Sequence, residues 1–147
     1  MDAVSIRPCC HQDLKRVFSI ERESFPDPYT ESVFGFFMQD PQSYFVVACV
    51  GEDIVGYVIA TRGPGEGLIQ SIAVSARCRG RSIGGMLMKS AMDYLASCRR
   101  VTLLASKTNN SAIRLYRSFS FRETGRVFER YYPDGEDALE FEWKSST

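Results

Sequence analysis

The chain has 147 residues, of which 44% are hydrophobic and 24% are charged, and its 18 basic and 18 acidic residues give a net charge of zero. This balance gives no support to nucleic-acid binding, which depends on excess positive charge. The longest purely apolar run, residues 44–50, is too short to span a bilayer, and the N-terminal stretch lacks the apolar centre of a signal peptide. We therefore expect no nucleic-acid partner, no membrane partner and a cytoplasmic location.

Local sequence patterns predict the elements in chain order. Alternating apolar residues predict a strand over residues 3–9, and apolar residues at helical spacing predict a helix over residues 11–24. Pro26 and Pro28 end this helical pattern. Thr30 and Glu31 then begin a second short helix, which Pro41 ends. The later segments are three strands (43–50, 54–62, 67–75), a helix (83–98), a strand (100–106), a helix (109–120) and two closing strands (121–132, 136–144).

This order, β-α-α-β-β-β-α-β-α-β-β, predicts an α/β (α+β) domain built around one sheet with helices on both faces. No repeat, low-complexity tract or linker divides the chain, so we predict a single domain over residues 1–147. In the helix over residues 83–98, we expect Met86, Leu87, Ala91 and Leu95 to form the face that packs on the core.

The five cysteines include no C-x-x-C pair, and the chain has a single histidine, which makes a zinc site hard to assemble. Cys9, Cys10 and His11 are consecutive in the sequence, so a metal site or a redox site remains an alternative. Reduced structural thiols are the favoured interpretation for a cytoplasmic chain. We therefore expect no metal.

Residues 77–85, RCRGRSIGG, place glycines and arginines between a predicted strand and a predicted helix. Free N–H groups and the helix dipole attract anions at a helix N-terminus, and glycine lets the backbone approach a phosphate. Arg77, Arg79 and Arg81 add positive charge. The segment matches neither a Walker loop nor the dinucleotide-binding fingerprint. It predicts an anion-binding loop, with a tight turn beside a solvated basic face as the alternative.

Residues 79–84, RGRSIG, resemble the R/Q-x-x-G-x-G/A pyrophosphate loop of the GNAT superfamily of acetyltransferases, with Ser82 in place of the first glycine. The preceding residues 70–74, QSIAV, are similar to the fourth strand of that family. The resemblance implies acetyl coenzyme A as cosubstrate. It also implies the GNAT fold, a single mixed and mostly antiparallel sheet of about seven strands with helices on both faces.

Three further segments match the same superfamily in the right order. Residues 109–121 resemble its N-x-x-A-x-x-L-Y-x-x-x-G-F segment, with Ser120 where glycine is usual. Residues 24–34 and 129–141 are similar to the substrate-side segments of the RimI branch, which acetylates protein N-termini. The resemblance therefore covers nearly the whole chain and implies a RimI-like N-terminal acetyltransferase.

The resemblance also implies roles for the matching positions on the cosubstrate side. Backbone groups of Ile72, Ala73 and Val74 would hold the acetyl-pantetheine arm, and Asn109 would bond the pantetheine. Tyr116 matches the general acid, which would give its phenol proton to the departing thiolate; a core aromatic residue is the alternative interpretation. The pyrophosphate would be cradled by Arg79, Gly80, Arg81, Ser82, Ile83, Gly84 and Gly85.

The general base is the point where the chain departs from the family pattern. Two positions that are often titratable in relatives are the apolar Leu104 and Leu68. Related N-terminal acetyltransferases carry an acidic residue after the proline that follows the first helix, and Asp27 matches it. Asp27 could instead cap a turn, and Glu23 or Glu31 could act through water. An α-amine, with a pKa of about 7.7–8.0, is partly neutral near pH 7, so a strong base is not required.

Two aromatic segments are expected to face the acceptor substrate. Phe25, Pro26 and Tyr29 offer a small apolar wall, and Tyr131 and Tyr132 could hydrogen-bond a peptide backbone. An ordinary amphipathic hairpin is the alternative for the paired tyrosines. Their occurrence together with the F-P-x-x-Y segment favours a substrate role.

The expected function is transfer of an acetyl group from acetyl coenzyme A to the N-terminal α-amine of a protein, by direct attack in a ternary complex. Ribosomal proteins are among the candidate substrates. A lysine amine, with a pKa of about 10.4, would need more help from a base. Acetylation of a lysine or a small-molecule amine, and a non-catalytic acetyl coenzyme A-binding module, are the alternatives. The sequence does not indicate an oligomeric state.

Overall fold

The computed structural model describes residues 3–25 and 29–146, and its elements follow the predicted order. The helices are α1 (Leu14–Ser24), α2 (Glu31–Gln39), α3 (Ile83–Tyr94) and α4 (Asn110–Ser118). The strands are β1 (Val4–Pro8), β2 (Ser43–Val50), β3 (Asp53–Gly63), β4 (Glu66–Val74), β5 (Arg100–Ser106), β6 (Arg122–Phe128) and β7 (Ala138–Lys144). Two single-turn 3-10 helices, which the sequence did not predict, cover His11–Asp13 and Ala76–Cys78. Within the described ranges, every helix is too short or too polar to cross a bilayer.

All seven strands form one sheet in the order β1-β2-β3-β4-β5-β7-β6. Every neighbouring pair is antiparallel except β4 and β5, which run parallel. This arrangement confirms the predicted mixed and mostly antiparallel sheet.

The parallel pair separates after three residues. Glu66–Leu68 of β4 pair with Arg100–Thr102 of β5, and no later residue of either strand pairs with the other. Residues 69–74 continue along β3, whereas residues 103–106 continue along β7. The two strands therefore diverge into a wedge that opens at their C-terminal ends.

Two hydrophobic cores lie on opposite faces of this sheet. Successive side chains of a strand point to opposite faces, so Val46 and Val58 belong to the core that contains α3 and α4. Their neighbours Val47 and Ile59 belong to the core that contains α1 and α2. The helices therefore cover both faces of the sheet, as predicted.

The predicted core face of α3 is correct except at Met86. Ile83, Leu87, Ala91 and Leu95, spaced by four residues, are at most 1% exposed, whereas Met86 is 38% exposed. Met86 lies about 100° around the helix from Leu87, which turns its side chain away from the sheet. The expectation that Met86 packs on the core is therefore wrong.

Candidate active site

The wedge between β4 and β5 opens into two adjoining clefts. The first cleft has a volume of about 640 Å³ and the second about 560 Å³, within the range of small-ligand sites. The residues that line both clefts are Phe25, Ile72, Leu104, Tyr116 and Tyr132. Two molecules bound in the two clefts would therefore meet beside Tyr116.

The first cleft collects most of the residues predicted for the cosubstrate. Arg81 and Ile83 are the exceptions, since neither lines the cleft and the Ile83 side chain is 1% exposed in the core. Any part that Ile83 takes must therefore use its backbone. The predicted residues that line the first cleft are Ile72, Ala73, Val74, Arg79, Gly80, Ser82, Gly84, Gly85 and Asn109.

The N-terminus of α3 presents free backbone donors to the first cleft. Among the described residues, no acceptor bonds the N–H groups of residues 80–85. Gly80 has a φ of +84°, a left-handed conformation that favours glycine. A Cβ on Gly84 would lie 3.2 Å from Cδ2 of Leu115, so glycine also allows α3 and α4 to approach closely. Unpaired N–H groups and the helix dipole give this N-terminus the chemistry that suits an anion.

The three arginines of the segment do not contribute equally. Arg77 forms an exposed ion pair with Asp53 and does not line the first cleft. Arg79 lines the first cleft, and its Nε donates to the carbonyl of Val74 at 3.3 Å. The positive charge beside the donors therefore comes from Arg79, with Arg81 exposed at the neighbouring turn.

The two serines that replace family glycines both adopt left-handed backbone conformations. Ser82, the N-cap of α3, has a φ of +62°, and Ser120, after α4, has a φ of +69°. This conformation costs a residue with a Cβ about 1–2 kcal/mol. The structure thus gives the physical reason why glycine suits both positions.

We expect Ser82→Gly and Ser120→Gly each to raise the free energy of unfolding by about 0.5–1 kcal/mol, after the larger chain entropy of glycine is deducted. Thermal melts should show a Tm higher by about 1–4 °C for each variant. Ser19→Gly, at a helical position in α1, is the matched control and should lower the Tm. Equal changes at Ser19 and at the two left-handed positions would contradict the explanation.

Asn109 has a structural role at the rim of the first cleft. Its Oδ1 accepts a hydrogen bond from the N–H of Ala112 at 3.2 Å and so caps the N-terminus of α4. This bond occupies one side-chain acceptor position and leaves the amide NH₂ group as a donor. The NH₂ group can therefore donate a hydrogen bond to a ligand in the first cleft.

Tyr116 lies between the core and both clefts. Its ring packs against Phe121 and Phe141, with centroids 6.4 and 6.3 Å away, and the residue is 7% exposed. Its hydroxyl bonds no described residue. Burial, with a smaller contribution from Tyr132, raises the pKa of Tyr116 well above the ordinary value of a phenol. Burial therefore favours the protonated phenol, whose hydroxyl can donate a hydrogen bond to a ligand.

The second cleft brings the two predicted aromatic segments together. Phe25 and Tyr29 line it from the connection between α1 and α2, and Tyr131 and Tyr132 line it from the connection between β6 and β7. The rings of Tyr131 and Tyr132 have centroids 5.0 Å apart and are nearly perpendicular. Burial, followed by the influence of Tyr131, raises the pKa of Tyr132 to about 12. Pro26 lies outside the described residues.

Leu68 and Leu104, which occupy the two positions that are often titratable in relatives, also line the second cleft. Leu68 comes from β4 and Leu104 from β5, so neither strand supplies a proton acceptor at these positions. Asp27, the base predicted from the sequence, lies outside the described residues. Among the residues that the structure describes, Glu21 is the carboxylate that lines the second cleft.

Glu21 is a functional candidate that the sequence analysis missed. It is 2% exposed, and its carboxylate accepts hydrogen bonds from the Tyr57 hydroxyl, from Ser71 Oγ at 3.1 Å and from the Tyr29 N–H at 2.7 Å. Burial and the adjacent Glu21 raise the pKa of Tyr57 well above its ordinary value. Tyr57 therefore stays protonated as a hydrogen-bond donor.

The sequence did contain a signal for Glu21. Glu21 follows Leu14 by seven residues and Val17 by four, so it occupies a position on the core face of an amphipathic helix. An acidic residue on that face requires buried partners. Its partners lie on β3 and β4, and local spacing could not identify them.

The cysteine- and histidine-containing segment near the N-terminus forms a backbone cap. Asp13 accepts hydrogen bonds from the Cys10 N–H at 2.8 Å and from both terminal nitrogens of Arg7. Burial raises the pKa of the Cys9 thiol to about 12, which makes it a poor nucleophile. Within the described ranges, no three His, Cys, Asp or Glu side chains are placed to hold a metal ion.

The fold thus places two adjoining clefts at the open end of the wedge, one lined by unbonded backbone donors and the other by aromatic residues. Residues 14–121 match the model of the acetyltransferase (GNAT) family, and the chain belongs to that family. The predicted superfamily and the predicted N-acetyltransferase activity are thereby confirmed.

The chain is similar to archaeal acetyltransferases along most of its length. It is 36% identical over 138 residues to an uncharacterized N-acetyltransferase of Methanocaldococcus jannaschii, with 91% of this chain and 87% of that protein covered. Over an alignment of 148 positions it is 31% identical to an N-alpha-acetyltransferase of Sulfolobus acidocaldarius, with 90% of this chain and 88% of that protein covered. Ard1 from Thermoplasma volcanium has the same fold, with a TM-score of 0.91 and 24% identity over 99% of each chain.

Proposed function

We propose that this chain transfers an acetyl group from acetyl coenzyme A to the N-terminal α-amine of a protein, by direct attack in a ternary complex. The observation that carries the proposal is the meeting of an anion-binding cleft and an aromatic cleft at Tyr116. The similarity to an N-alpha-acetyltransferase along most of both chains supports the α-amine as acceptor.

In this proposal the first cleft holds acetyl coenzyme A, which supplies an activated acetyl group as a thioester. The unbonded N–H groups of residues 80–85 fit a pyrophosphate, because they converge at a helix N-terminus next to Arg79. Residues 72–74 lie on the open side of the wedge, where their backbone can bond the pantetheine arm. Asn109 adds a side-chain donor at the rim.

The second cleft receives the peptide in this proposal. Phe25 and Tyr29 form one wall, β4 forms a second, and Tyr131 and Tyr132 form a third. Their aromatic rings offer apolar area, and the phenol hydroxyls can bond a peptide backbone. Pro26 is included with the first wall on the strength of its sequence match.

Tyr116 is proposed as the general acid. It lines both clefts and would stand beside the reacting groups, and its raised pKa keeps a proton on the phenol. A protonated phenol can neutralise the thiolate that leaves when the amine attacks the thioester. The proton would move from the Tyr116 oxygen to the departing sulfur.

Asp27 is proposed as the base that removes the proton from the α-ammonium, on its sequence match alone. We expect Asp27→Asn to lower kcat/KM at neutral pH and to recover toward wild-type values at high pH, where the α-amine is neutral without help. Rates measured from pH 6.5 to 9.5 on one peptide provide the profile. A constant ratio of mutant to wild-type rates across this range would mean that Asp27 does not act as the base.

The acceptor is tested with an array of peptides that have varied first residues and one internal lysine, each made with a free and with a blocked α-amine. We expect acetylation of the free α-amine only, and the preferred first residues would indicate which ribosomal or other proteins are substrates. Acetylation of blocked peptides would support the lysine alternative. Binding of acetyl coenzyme A without turnover on any amine would support the non-catalytic module.

A cytoplasmic location is also part of the proposal.

A further inference from the structure

We infer that Glu21 is a positioning residue that sets the separation between two walls of the second cleft, one formed by Phe25 and Tyr29 and the other by β4. This inference rests on the proposed function only in that the second cleft is taken to bind the peptide. Glu21 is buried, lines the second cleft and bonds both walls.

Glu21 holds the chain on both sides of residues 26–28. Its backbone oxygen accepts the N–H of Phe25 at 3.0 Å, and its Oε2 accepts the N–H of Tyr29 at 2.7 Å. One residue of α1 therefore bonds both Phe25 and Tyr29.

The other carboxylate oxygen of Glu21 is tied to the sheet. Oε1 accepts hydrogen bonds from the Tyr57 hydroxyl on β3 and from Ser71 Oγ on β4 at 3.1 Å. The Tyr57 and Ser71 hydroxyls are also 3.0 Å apart, which links the two strands through the same cluster. The carboxylate thus connects the wall formed by β4 to the wall that carries Tyr29.

Tyr29 adds a second connection between the same walls. Its hydroxyl donates to the backbone oxygen of Gln70 at 3.2 Å, and its ring packs edge-on against Phe34 with centroids 5.8 Å apart. Gln70 is the extra residue of a β-bulge in β4 and lines the second cleft. Tyr29 is therefore held at its backbone by Glu21 and at its hydroxyl by β4.

A carboxylate suits this position because it offers two acceptor oxygens to three donors. No cation pairs with Glu21 among the residues that the structure describes. A buried carboxylate without a counter-ion is retained only where hydrogen bonds replace its hydration. Glutamine has a single acceptor oxygen, so it would place an NH₂ group against Tyr29 or against the Tyr57–Ser71 pair.

We expect Glu21→Gln to raise KM for the peptide about tenfold, because a displaced wall misplaces the acceptor. The affinity for acetyl coenzyme A should not change, since Glu21 does not line the first cleft. Tyr57→Phe is the matched control, because it removes one donor from Oε1, lines neither cleft and leaves the Tyr29 contact in place. Its KM should stay within about twofold of the wild type, even where its Tm falls. An equal rise in KM for both variants, or no rise for folded Glu21→Gln, would overturn the inference.

Amide hydrogen exchange in the wild-type protein tests the same contact without mutation and without turnover. The Tyr29 amide should exchange at least about 100-fold more slowly than that of Thr30, because Glu21 accepts its hydrogen bond. Fast exchange at Tyr29 would overturn the inference even if Glu21→Gln does not fold. If no peptide is acetylated, the proposed function fails, and the exchange rate still decides the role of Glu21.

Discussion

Replacement of Tyr116 with phenylalanine should lower kcat by about 10²–10⁴-fold, the range typical of a lost proton transfer. The variant keeps the ring that packs on Phe121 and Phe141 and removes only the hydroxyl, which bonds no described residue. The fold and the affinity for acetyl coenzyme A should therefore persist. Steady-state rates, a thermal melt and a calorimetric titration separate these three properties.

Tyr94→Phe is the matched control for Tyr116→Phe. Tyr94 lines neither cleft, and its hydroxyl donates to the backbone of Gln42 at 3.1 Å near the surface. Its turnover should equal that of the wild type. If Tyr116→Phe also turns over normally while acetyl coenzyme A binds, Tyr116 is a core residue and not the acid.

The pH profile of the wild-type enzyme adds a second check on Tyr116. Above about pH 8 the α-amine is neutral without help, so a change of rate with pH in this range reports on the acid and not on the amine. The acid must keep its proton over this range, and burial, which raises the pKa of Tyr116, favours the protonated phenol. We therefore expect no decline in rate up to about pH 10, the value at which an ordinary phenol would lose its proton.

The second large effect is expected at the anion site, where Gly84→Asp should weaken acetyl coenzyme A binding by about 100-fold or more. Gly84 lines the first cleft at the N-terminus of α3, so the new carboxylate would stand among the donors that the pyrophosphate needs. Like charges held together cost several kcal/mol, and each 1.4 kcal/mol corresponds to about tenfold in affinity. Calorimetry on the folded variant measures the loss.

Gly84→Asn separates charge from size in this experiment. Both side chains must displace Cδ2 of Leu115, which would lie 3.2 Å from a Cβ at this position. The asparagine variant should therefore show only the steric part of the loss and bind more tightly than the aspartate variant. Equal affinities in the two variants would mean that no negative group of the ligand lies at the α3 N-terminus.

Local sequence was sufficient to predict the order of the strands and α-helices and the strand–turn–helix segment around residues 79–85. Strand and helix periods differ, and prolines, caps and glycines mark the ends, so the order of the strands and helices could be predicted. Thr30 caps α2 through a 3.4 Å bond from the N–H of Val33, which is a contact between near neighbours in sequence. The segment over residues 79–85 was recognisable because a strand, a glycine-containing turn and a helix N-terminus follow one another directly.

Contacts between distant residues were decided only by the tertiary structure. The sequence does not show that β4 pairs with β5 for three residues and then diverges from it. This pairing depends on the strands that flank the pair, β3 beside β4 and β7 beside β5. Nor does the sequence show that Tyr116 lines two clefts, or that Arg77 pairs with Asp53 across 24 positions. Glu21 stands out in the sequence as an acidic residue on the apolar face of α1, but its partners lie up to 50 positions away. Period and spacing determine local conformation, whereas the wedge, the two clefts and the buried carboxylate cluster arise when the sheet closes and brings these distant segments together.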